Sequence, residues 1–401
     1  MFANTQTYSA DVVIVGAGPT GLFLANLLGQ AGRSVILLEK RTAQTIPSMA
    51  IGVMPPSLQM FEAIGLAAPM IQTGCQVTRA VVHDQDAILG ALDLSTLPPP
   101  YSFVLSIPQG ELMRLLRERL ADYPSVQILD GHEVSAVDQT ADAITVHAIH
   151  TDTGGRAEII AAFAAACDGN KSRMRALLGI ARAGDLYPVS FIMGDFPETT
   201  TWTHEAHLFF TPEGSVESFP LPGPRRRWIV RASGTERDTN TMVQRIHAIA
   251  GVRLDPAQEV WHSSFTPERQ LAATFFSGRA VLCGDAAHVM SPIGGQGMNT
   301  GLADVWMLAN ILKGLLQTQV PHEPLFARYA AKRRVAFTVA ANRAARGMWL
   351  GTRTGRIASA LRALVLRYVL LGSPLARFLP RHFAMLTIPG TRALLSKGGL
   401  P

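Results

Sequence analysis

The stretch Asp11-Val12-Val13-Ile14-Val15-Gly16-Ala17-Gly18-Pro19-Thr20-Gly21 decides the fold. A β-branched run ends in Gly16, and the glycines at 16, 18 and 21 have the spacing G-x-G-x-x-G. An apolar-periodic stretch, Leu22–Gln30, follows as a helix, and a second strand, Ser34–Leu38, ends at Glu39. The first glycine allows a tight turn, the second lets a pyrophosphate approach the backbone, and the third lets helix pack on strand. The helix start adds free N–H groups and the positive end of its dipole. Glu39 lies 18 residues after Gly21 at a strand tip, placed to accept hydrogen bonds from a ribose diol. The pattern predicts a dinucleotide site of Gly16, Gly18, Pro19, Thr20, Gly21 and Glu39, bordered by Lys40 and Arg41.

Two further motifs follow. Cys167-Asp168-Gly169-Asn170-Lys171-Ser172-Arg173-Met174-Arg175 comes after a run of small residues. Gly284-Asp285-Ala286-Ala287-His288 follows an apolar strand, Arg279–Cys283, and continues through Pro292 to Gly294-Gly295-Gln296-Gly297-Met298-Asn299-Thr300-Gly301, where a helix opens. Asp285 at a strand end can bind a ribityl hydroxyl. The Gly295–Asn299 backbone can present N–H groups to an anionic ring or a phosphate. Each motif alone also reads as an ordinary strand-loop-helix turn.

Elsewhere, Pro55–Ile64, Gln109–Leu120 and Thr239–Ile249 read as helices, and Val77–His83 and Ile88–Leu94 as strands. Val126–Leu129, Glu133–Val137 and Ile144–His150 read as an antiparallel meander with turns at Asp130-Gly131 and Gly154-Gly155. Val189–Met193, Ala206–Thr211, Val216–Leu221 and Trp228–Ala232 alternate strand and turn without helix, which predicts a separate antiparallel sheet. Helices dominate from Leu302 onward.

With 401 residues, 48% apolar and 16% charged, the chain is folded rather than disordered. Its three cysteines, Cys75, Cys167 and Cys283, are widely scattered with no C-x-x-C, which argues against a disulfide framework and a metal site. The polar start, Met1–Ala10, has no basic leader, so a cytoplasmic protein is expected. Residues 324–401 carry 14 Lys and Arg and no acid, while residues 1–323 carry 22 against 30 acids, a balance of −8. A basic tail rich in Arg, Leu and Ala, with Trp349, Tyr368 and Phe378, fits either packing on the acidic body or peripheral contact with the inner face of a membrane. No nucleic-acid-binding pattern accompanies the charge, so no nucleic-acid partner is expected.

Taken in order, the three motifs closely resemble the class A flavoprotein aromatic monooxygenases, the para-hydroxybenzoate hydroxylase family, from Asp11 to Gly301. The resemblance implies an α/β fold: a three-layer Rossmann-type FAD-binding domain, an antiparallel substrate-lid sheet and a helical C-terminal cap. The expected boundaries are 1–75, 106–186 and 276–330 for the discontinuous FAD-binding domain. The sheet domain takes 76–105 and 187–275, and the basic helical region 331–401. By position, Glu39 would bind the adenosine ribose and Asp285 the ribityl chain. Asp168, with Gly169, Ser172 and Arg175, would help form the FAD and NAD(P)H sites. Gln109, in Q-x-x-L-x-x-x-L with Leu112 and Leu116, resembles a family position that contacts FAD. Pro292, Gly295, Gln296, Gly297, Met298 and Asn299 would line the flavin.

The family implies that NADPH or NADH reduces FAD, and that O2 then forms a flavin C4a-hydroperoxide. That species hydroxylates or epoxidises a small hydrophobic aromatic or quinone-like substrate. Tyr187, Phe191, Phe209, Phe210 and Phe219 are candidate pocket walls, each also explicable as sheet core. No catalytic base is assignable, and His288 reads as shaping the cofactor loop. Where many members carry an Arg, the segment Ser48–Val53 has Met49; if that Arg guides flavin movement or a substrate anion, its absence favours a neutral, apolar substrate, unless Arg41 takes its place. The other readings are a same-fold reductase, a halogenase, whose W-x-W-x-I-P signature is absent, and a membrane-surface flavin-binding protein.

Overall fold

The computed structural model describes residues 5–42, 50–85, 87–232, 237–318 and 320–391. Ser48 and Met49, on which the departure from the family pattern turns, lie outside them.

The β-branched run becomes the strand Thr5–Val15, whose inner end, Val12–Val15, is buried. It is flanked by two parallel neighbours, Val35–Glu39 and Arg156–Ala166. The sheet runs Phe276–Ser277, Ala280–Leu282, Arg156–Ala166, Thr5–Val15, Val35–Glu39, Val126–Asp130. Central strands buried on both faces read as continuous apolar runs, as Val35–Leu38 does. Helix Pro19–Gly29 is buried over Gly21–Gly29 and packs against helices Gln109–Arg119 and Gln296–Leu315. Proline at its first positions fits, because the N–H groups there have no intrahelical partner.

Two expectations about this sheet are corrected. Val126–Asp130 does not belong to the meander; it pairs parallel with Val35–Glu39 at the edge of the main sheet. The meander is His132–Gln139, Ile144–His150 and the outer half of Arg156–Ala166. The turn at Gly131, φ +70°, redirects the chain between the two. The inner half of Arg156–Ala166 then pairs parallel with Ala280–Leu282, so this strand carries the sheet's branch point.

The second sheet has seven strands, in the order Trp261–Phe265, Phe191–Pro197, Arg225–Arg231, Gly214–Leu221, Glu205–Thr211, Arg79–His83, Ile88–Asp93. It is not wholly antiparallel: Glu205–Thr211 and Arg79–His83 run parallel, because Arg79–His83 arrives from a distant part of the chain. Helix Thr239–Ala250, capped by the Asp238 carboxylate, lays Met242, Ile246 and Ile249 on one face against Ile192, Phe196, Phe209, Val216, Trp228 and Val230.

The opposite face meets the C-terminal helices. Phe210 sits so close to helix Glu323–Thr352 that a Cβ on Gly351 would stand 3.0 Å from its ring. Beyond that helix come Arg356–Leu364 and the π-helical turn Val365–Leu371. Among the described residues no single helix is long and apolar enough to cross a membrane. The pair Arg356–Leu371 and Ala376–Phe383 has the length and composition only jointly, across a 77° bend.

Candidate functional site

The three motifs meet at one point. Gly16 adopts φ +100° against the second motif: a Cβ there would stand 2.5 Å from the Cys167 carbonyl oxygen and 2.8 Å from the Asp168 Cα. On Gly21 it would stand 1.9 Å from the Gly16 carbonyl oxygen. The third motif closes from the other side, where a Cβ on Gly301 would lie 3.1 Å from the Gly284 Cα and 3.2 Å from the Thr20 Oγ1. Arg175 joins the second and third motifs by donating to the Ala286 carbonyl at 2.8 Å. At Gly18 the situation reverses, for nothing stands within 4 Å of where a Cβ would be. Pro19 and Thr20, part-buried, start the helix there, and no side chain caps it. Gly18 and the helix start thus face an open cradle with N–H donors exposed to it, which fits a pyrophosphate.

Three acids border the cradle in three states. Glu39 accepts from the Ala17 amide at 2.9 Å, and its other oxygen accepts from the Arg41 amide and Nε, at 3.1 and 2.8 Å. Burial works against its charge, but these bonds prevail and hold its pKa below the usual carboxylate value. Arg41 is therefore held by Glu39, and Lys40 points into solvent. Asp168 accepts from Ser172 Oγ at 2.6 Å and the Met174 amide at 2.9 Å. Its carboxylate is thus engaged at the start of the turn that follows, and burial raises its pKa. Asp285 has no hydrogen-bond partner among the described residues. Its side chain reaches solvent, yet burial raises its pKa, with Glu268 and Asp304 adding to the rise and His288 opposing it. An accessible carboxylate with no partner among the described residues, at the end of strand Ala280–Leu282, fits a hydroxyl-bearing chain.

At the start of helix Gln296–Leu315 the chain passes through Gly294, φ +82°, and Gly295, φ +66°. No side chain caps this helix, so the amides of Gln296, Gly297 and Met298 are free to donate. The side-chain Oε1 of Gln296 is buried without a partner. A buried orphan acceptor beside free amides fits a ligand carrying both donors and acceptors, as a flavin ring does. Pro292 is exposed at the rim, its carbonyl accepting from the Gly295 amide at 2.9 Å.

Asn299 serves the framework: it donates to the Gly52 and Gly295 carbonyls and accepts from the Met54 amide and Ser57 Oγ. It thereby ties residues 52–57 to the helix start. Gln109, at the start of helix Gln109–Arg119, accepts from the Ala50 amide at 3.4 Å on the same side.

Beneath the third motif lies a buried set that the sequence did not reveal. His288 Nε2 and the Gly284 amide share Asp304 Oδ2, at 2.7 and 3.0 Å, while Arg333 Nε donates to Oδ1 at 2.5 Å. Burial opposes the charge of Asp304, but His288 and Arg333 outweigh it and lower its pKa. The one signal in the sequence was a lone acid on an otherwise apolar helix face between Leu302, Val305 and Leu308.

Strand alternation sorts the aromatic candidates. Phe210 and Phe219 point to the face of the second sheet that meets the main body, Phe210 against Gly351 and Phe219 against Val77 and Ala80. Phe191 shares that face, stacked on Phe265 at 5.5 Å. Phe209 is corrected: it points outward, under helix Thr239–Ala250 and stacked on His83, so it walls no pocket on the inner face. Tyr187 lines a separate cavity of about 680 Å3 at the sheet's end, with Arg231 and Arg245. Glu217, which the sequence reading passed over, also lies on the inner face.

This fold and cradle define a dinucleotide-binding flavoprotein with a lid sheet. The chain belongs to the FAD binding domain family, which matches residues 9–344. It is 31% identical over 339 residues to the 3-(3-hydroxy-phenyl)propionate/3-hydroxycinnamic acid hydroxylase of Paraburkholderia xenovorans, covering 82% of this chain and 53% of that one. Against the pentachlorophenol 4-monooxygenase of Sphingobium chlorophenolicum the identity is 30% over 331 residues, covering 78% and 60%. The chain thus spans little more than half the length of these relatives. Among solved structures, p-nitrophenol 4-monooxygenase from Pseudomonas putida superposes with a TM-score of 0.87 at 22% identity, covering 96% of this chain and all of that one. The anhydrotetracycline hydroxylase of Streptomyces rimosus gives a TM-score of 0.78 at 27% identity, covering 95% and 76%. The first of these shows the fold, and the sequence relatives agree with the resemblance to class A flavoprotein aromatic monooxygenases.

Proposed function

We propose that the protein is an FAD-dependent monooxygenase, using NADPH or NADH and O2 to hydroxylate or epoxidise a small hydrophobic aromatic or quinone-like substrate. The observation that carries this reading is the convergence of three separate motifs on one cradle beneath a lid sheet. The relatives' names, a hydroxylase and a monooxygenase among them, favour it over the reductase, halogenase and binding-protein alternatives.

FAD, when bound, supplies the electron transfer and the activation of O2. In this reading the Gly18 gap and the amides of helix Pro19–Gly29 hold the pyrophosphate, and Glu39 takes the ribose. Asp285 takes the ribityl chain, while the amides of Gln296–Met298 face the ring and stabilise negative charge there. Gln109 and the Asp168 turn support the cradle from behind. In this reading the lid turns Leu208, Phe210, Phe219 and Ile229 toward the site, and covering it keeps an activated oxygen from being wasted on water.

The test is the visible spectrum of the FAD-reconstituted protein, mixed without oxygen with NADPH and then NADH, and afterwards with O2 and a panel of phenols. Bleaching followed by incorporation of labelled oxygen into an aromatic product is expected. A flavin that stays oxidised with every phenol present overturns the reading.

A second reading concerns location. The exposed residues Ile357, Leu361, Leu364, Val365, Tyr368 and Val369 form one stripe, bordered by exposed Arg353, Arg356, Arg367 and Arg377. An apolar stripe edged with arginine fits peripheral contact with an anionic membrane, on the inner face if the protein is cytoplasmic.

A further inference from the structure

Glu217 lies in the middle of strand Gly214–Leu221, opposite Leu208 on one side and Ile229 on the other. Its neighbour Val216 packs beneath helix Thr239–Ala250, so strand alternation turns Glu217 to the inner face. That face is joined to the cofactor loop through helix Glu323–Thr352. One turn of the helix meets the lid where Gly351 touches Phe210. The preceding turn meets the loop: a Cβ on Gly347 would stand 3.9 Å from Ile293, and Ser291 Oγ approaches the Met348 sulfur at 3.6 Å. Glu217 therefore lies on the lid face turned to helix Glu323–Thr352, which packs on its strand and spans the space from the lid to residues 291–293.

Glu217 is part-buried and has neither hydrogen bond nor ion pair among the described residues. The other charges around that space are either engaged or set apart. Arg227 and Asp195 pair with each other at 2.6 and 2.8 Å, and Arg362 donates to the Arg353 and Thr211 carbonyls. Arg343, on helix Glu323–Thr352, donates to the Thr387 carbonyl at 3.0 Å, and Arg346 is exposed. Arg231 lies one diagonal step along the face, lining the cavity at the sheet's end. Its charge does not offset the loss of hydration, which pushes the Glu217 carboxyl up to about 7. Loop 291–295 contains no ionisable group.

An unpaired, part-buried carboxylate flanked on its own sheet face by Leu208 and Ile229 is expensive unless something completes it. We propose that Glu217 is the pocket group that holds the substrate's hydroxyl and accepts its proton, which makes the substrate a neutral hydroxyarene without a carboxylate of its own. The inference rests on the monooxygenase reading and narrows its substrate class. In the step, the aryl O–H bond breaks, its electron pair stays on the aryl oxygen, and the proton moves to a Glu217 oxygen. Charge balances without any oxidant, and the resulting phenolate is the electron-rich ring that oxygen transfer needs. A substrate carboxylate is rejected because it would meet the Glu217 charge where little water screens it.

The experiment uses the FAD-loaded full chain with three probes: 4-nitrophenol, whose phenol and phenolate absorb at different wavelengths, nitrobenzene, and 4-nitrobenzoate. Wild type is expected to bind 4-nitrophenol at least tenfold tighter than either of the others, and to convert the bound probe to phenolate with a pH profile that differs from the free probe's. Glu217→Gln is expected to abolish that difference in profile, and Glu217→Leu to remove the preference for the hydroxyl. FAD affinity measured on both variants confirms that they fold. An unchanged profile and preference in both variants overturns the proposal, as does a wild type without the preference. Flavin bleaching by NADPH or NADH is read on the same samples. Bleaching without the preference overturns Glu217's role alone, and the preference without bleaching overturns the monooxygenase reading while leaving the pocket assignment.

Discussion

Arg175 donates to the carbonyl of Ala286 across 111 residues of chain, and its other arm donates to the Asn170 carbonyl at 3.0 Å. One buried guanidinium thus fixes the turn carrying Asp285 relative to the turn carrying Asp168. Without it, Asp285 keeps its chemistry but loses its position. Arg175→Met is expected to weaken FAD binding by about 10- to 100-fold, by analogy with the loss of groups that orient ligands from behind. Flavin fluorescence titration checks this, and an affinity within twofold of wild type would refute it.

The glycines of the first motif separate packing from ligand access. Gly21→Ala brings a Cβ to 1.9 Å from the Gly16 carbonyl oxygen, a clash with backbone that no side-chain movement relieves. Gly18→Ala meets nothing within 4 Å, and its φ of −74° suits any residue. The expected outcome is a Gly21→Ala variant that is insoluble or melts far below wild type. Gly18→Ala should melt like wild type without cofactor but bind FAD at least tenfold more weakly, because the added methyl stands where the pyrophosphate would approach. Equal loss of stability in both apo-proteins would show that the gap at Gly18 is not a ligand space.

Much of this was legible in the sequence, for a physical reason. The strand segment Asp11–Val15, the helix that follows the glycines and the acid at Glu39 follow from local residue types and spacing, and helix Gln109–Arg119 begins at the residue the pattern chose, whereas the polar outer half of the strand, Thr5–Ala10, carries no apolar run to mark it. Strand Arg156–Ala166 escaped notice because its alanines carry little strand preference; their small size suits a strand buried at the sheet's centre. Val126–Asp130 was read as a strand but given the wrong partner, since alternation fixes the face of a strand and not its neighbour. Asp304, Arg333 and Glu217 were missed because their meaning lies in distant contacts. The inner face of Glu217 is defined only once helix Thr239–Ala250 has covered the other.

The Asp304 set makes stability depend on acid. A carboxylate whose folded pKa is depressed contributes stability above its unfolded pKa, near 3.9 for Asp, and loses it as pH falls through the lower folded value. At neutral pH, Asp304→Asn leaves Arg333 and His288 without their shared carboxylate, at a cost of about 3–5 kcal/mol. Below pH ~4 the gap between variant and wild type should narrow. Denaturant unfolding at neutral and acidic pH checks this, and a gap constant across that range would exclude a charged Asp304 as its source.

Glu217 has the opposite sign. Its folded pKa of about 7 lies above the ordinary carboxylate value of 4.5, so the folded state binds the proton more tightly than the unfolded chain does. Rising pH through that window therefore removes stability, by up to about 3 kcal/mol. Glu217→Gln is expected to unfold at higher denaturant than wild type at pH 8, with the advantage shrinking toward acid pH. A variant less stable than wild type at pH 8 would mean that the carboxylate has a stabilising partner.

The stripe on the last helices predicts a change of compartment without a change of fold. Ile357 is 80% exposed, Tyr368 63% and Leu361 59%, so replacing them removes little packing. Each neighbouring arginine near an anionic surface adds about 1 kcal/mol of attraction, falling off within a Debye length. The full chain is expected to sediment with vesicles containing phosphatidylglycerol and to release in high salt. Ile357→Glu with Leu361→Glu should abolish sedimentation while leaving FAD binding and the melting temperature near wild type. Vesicles of zwitterionic lipid alone should capture little protein, because the arginines then have no counter-charge. If both vesicle types fail and the double variant instead converts a dimer to a monomer in sedimentation velocity, the stripe is covered by a second copy of the chain and the membrane reading falls.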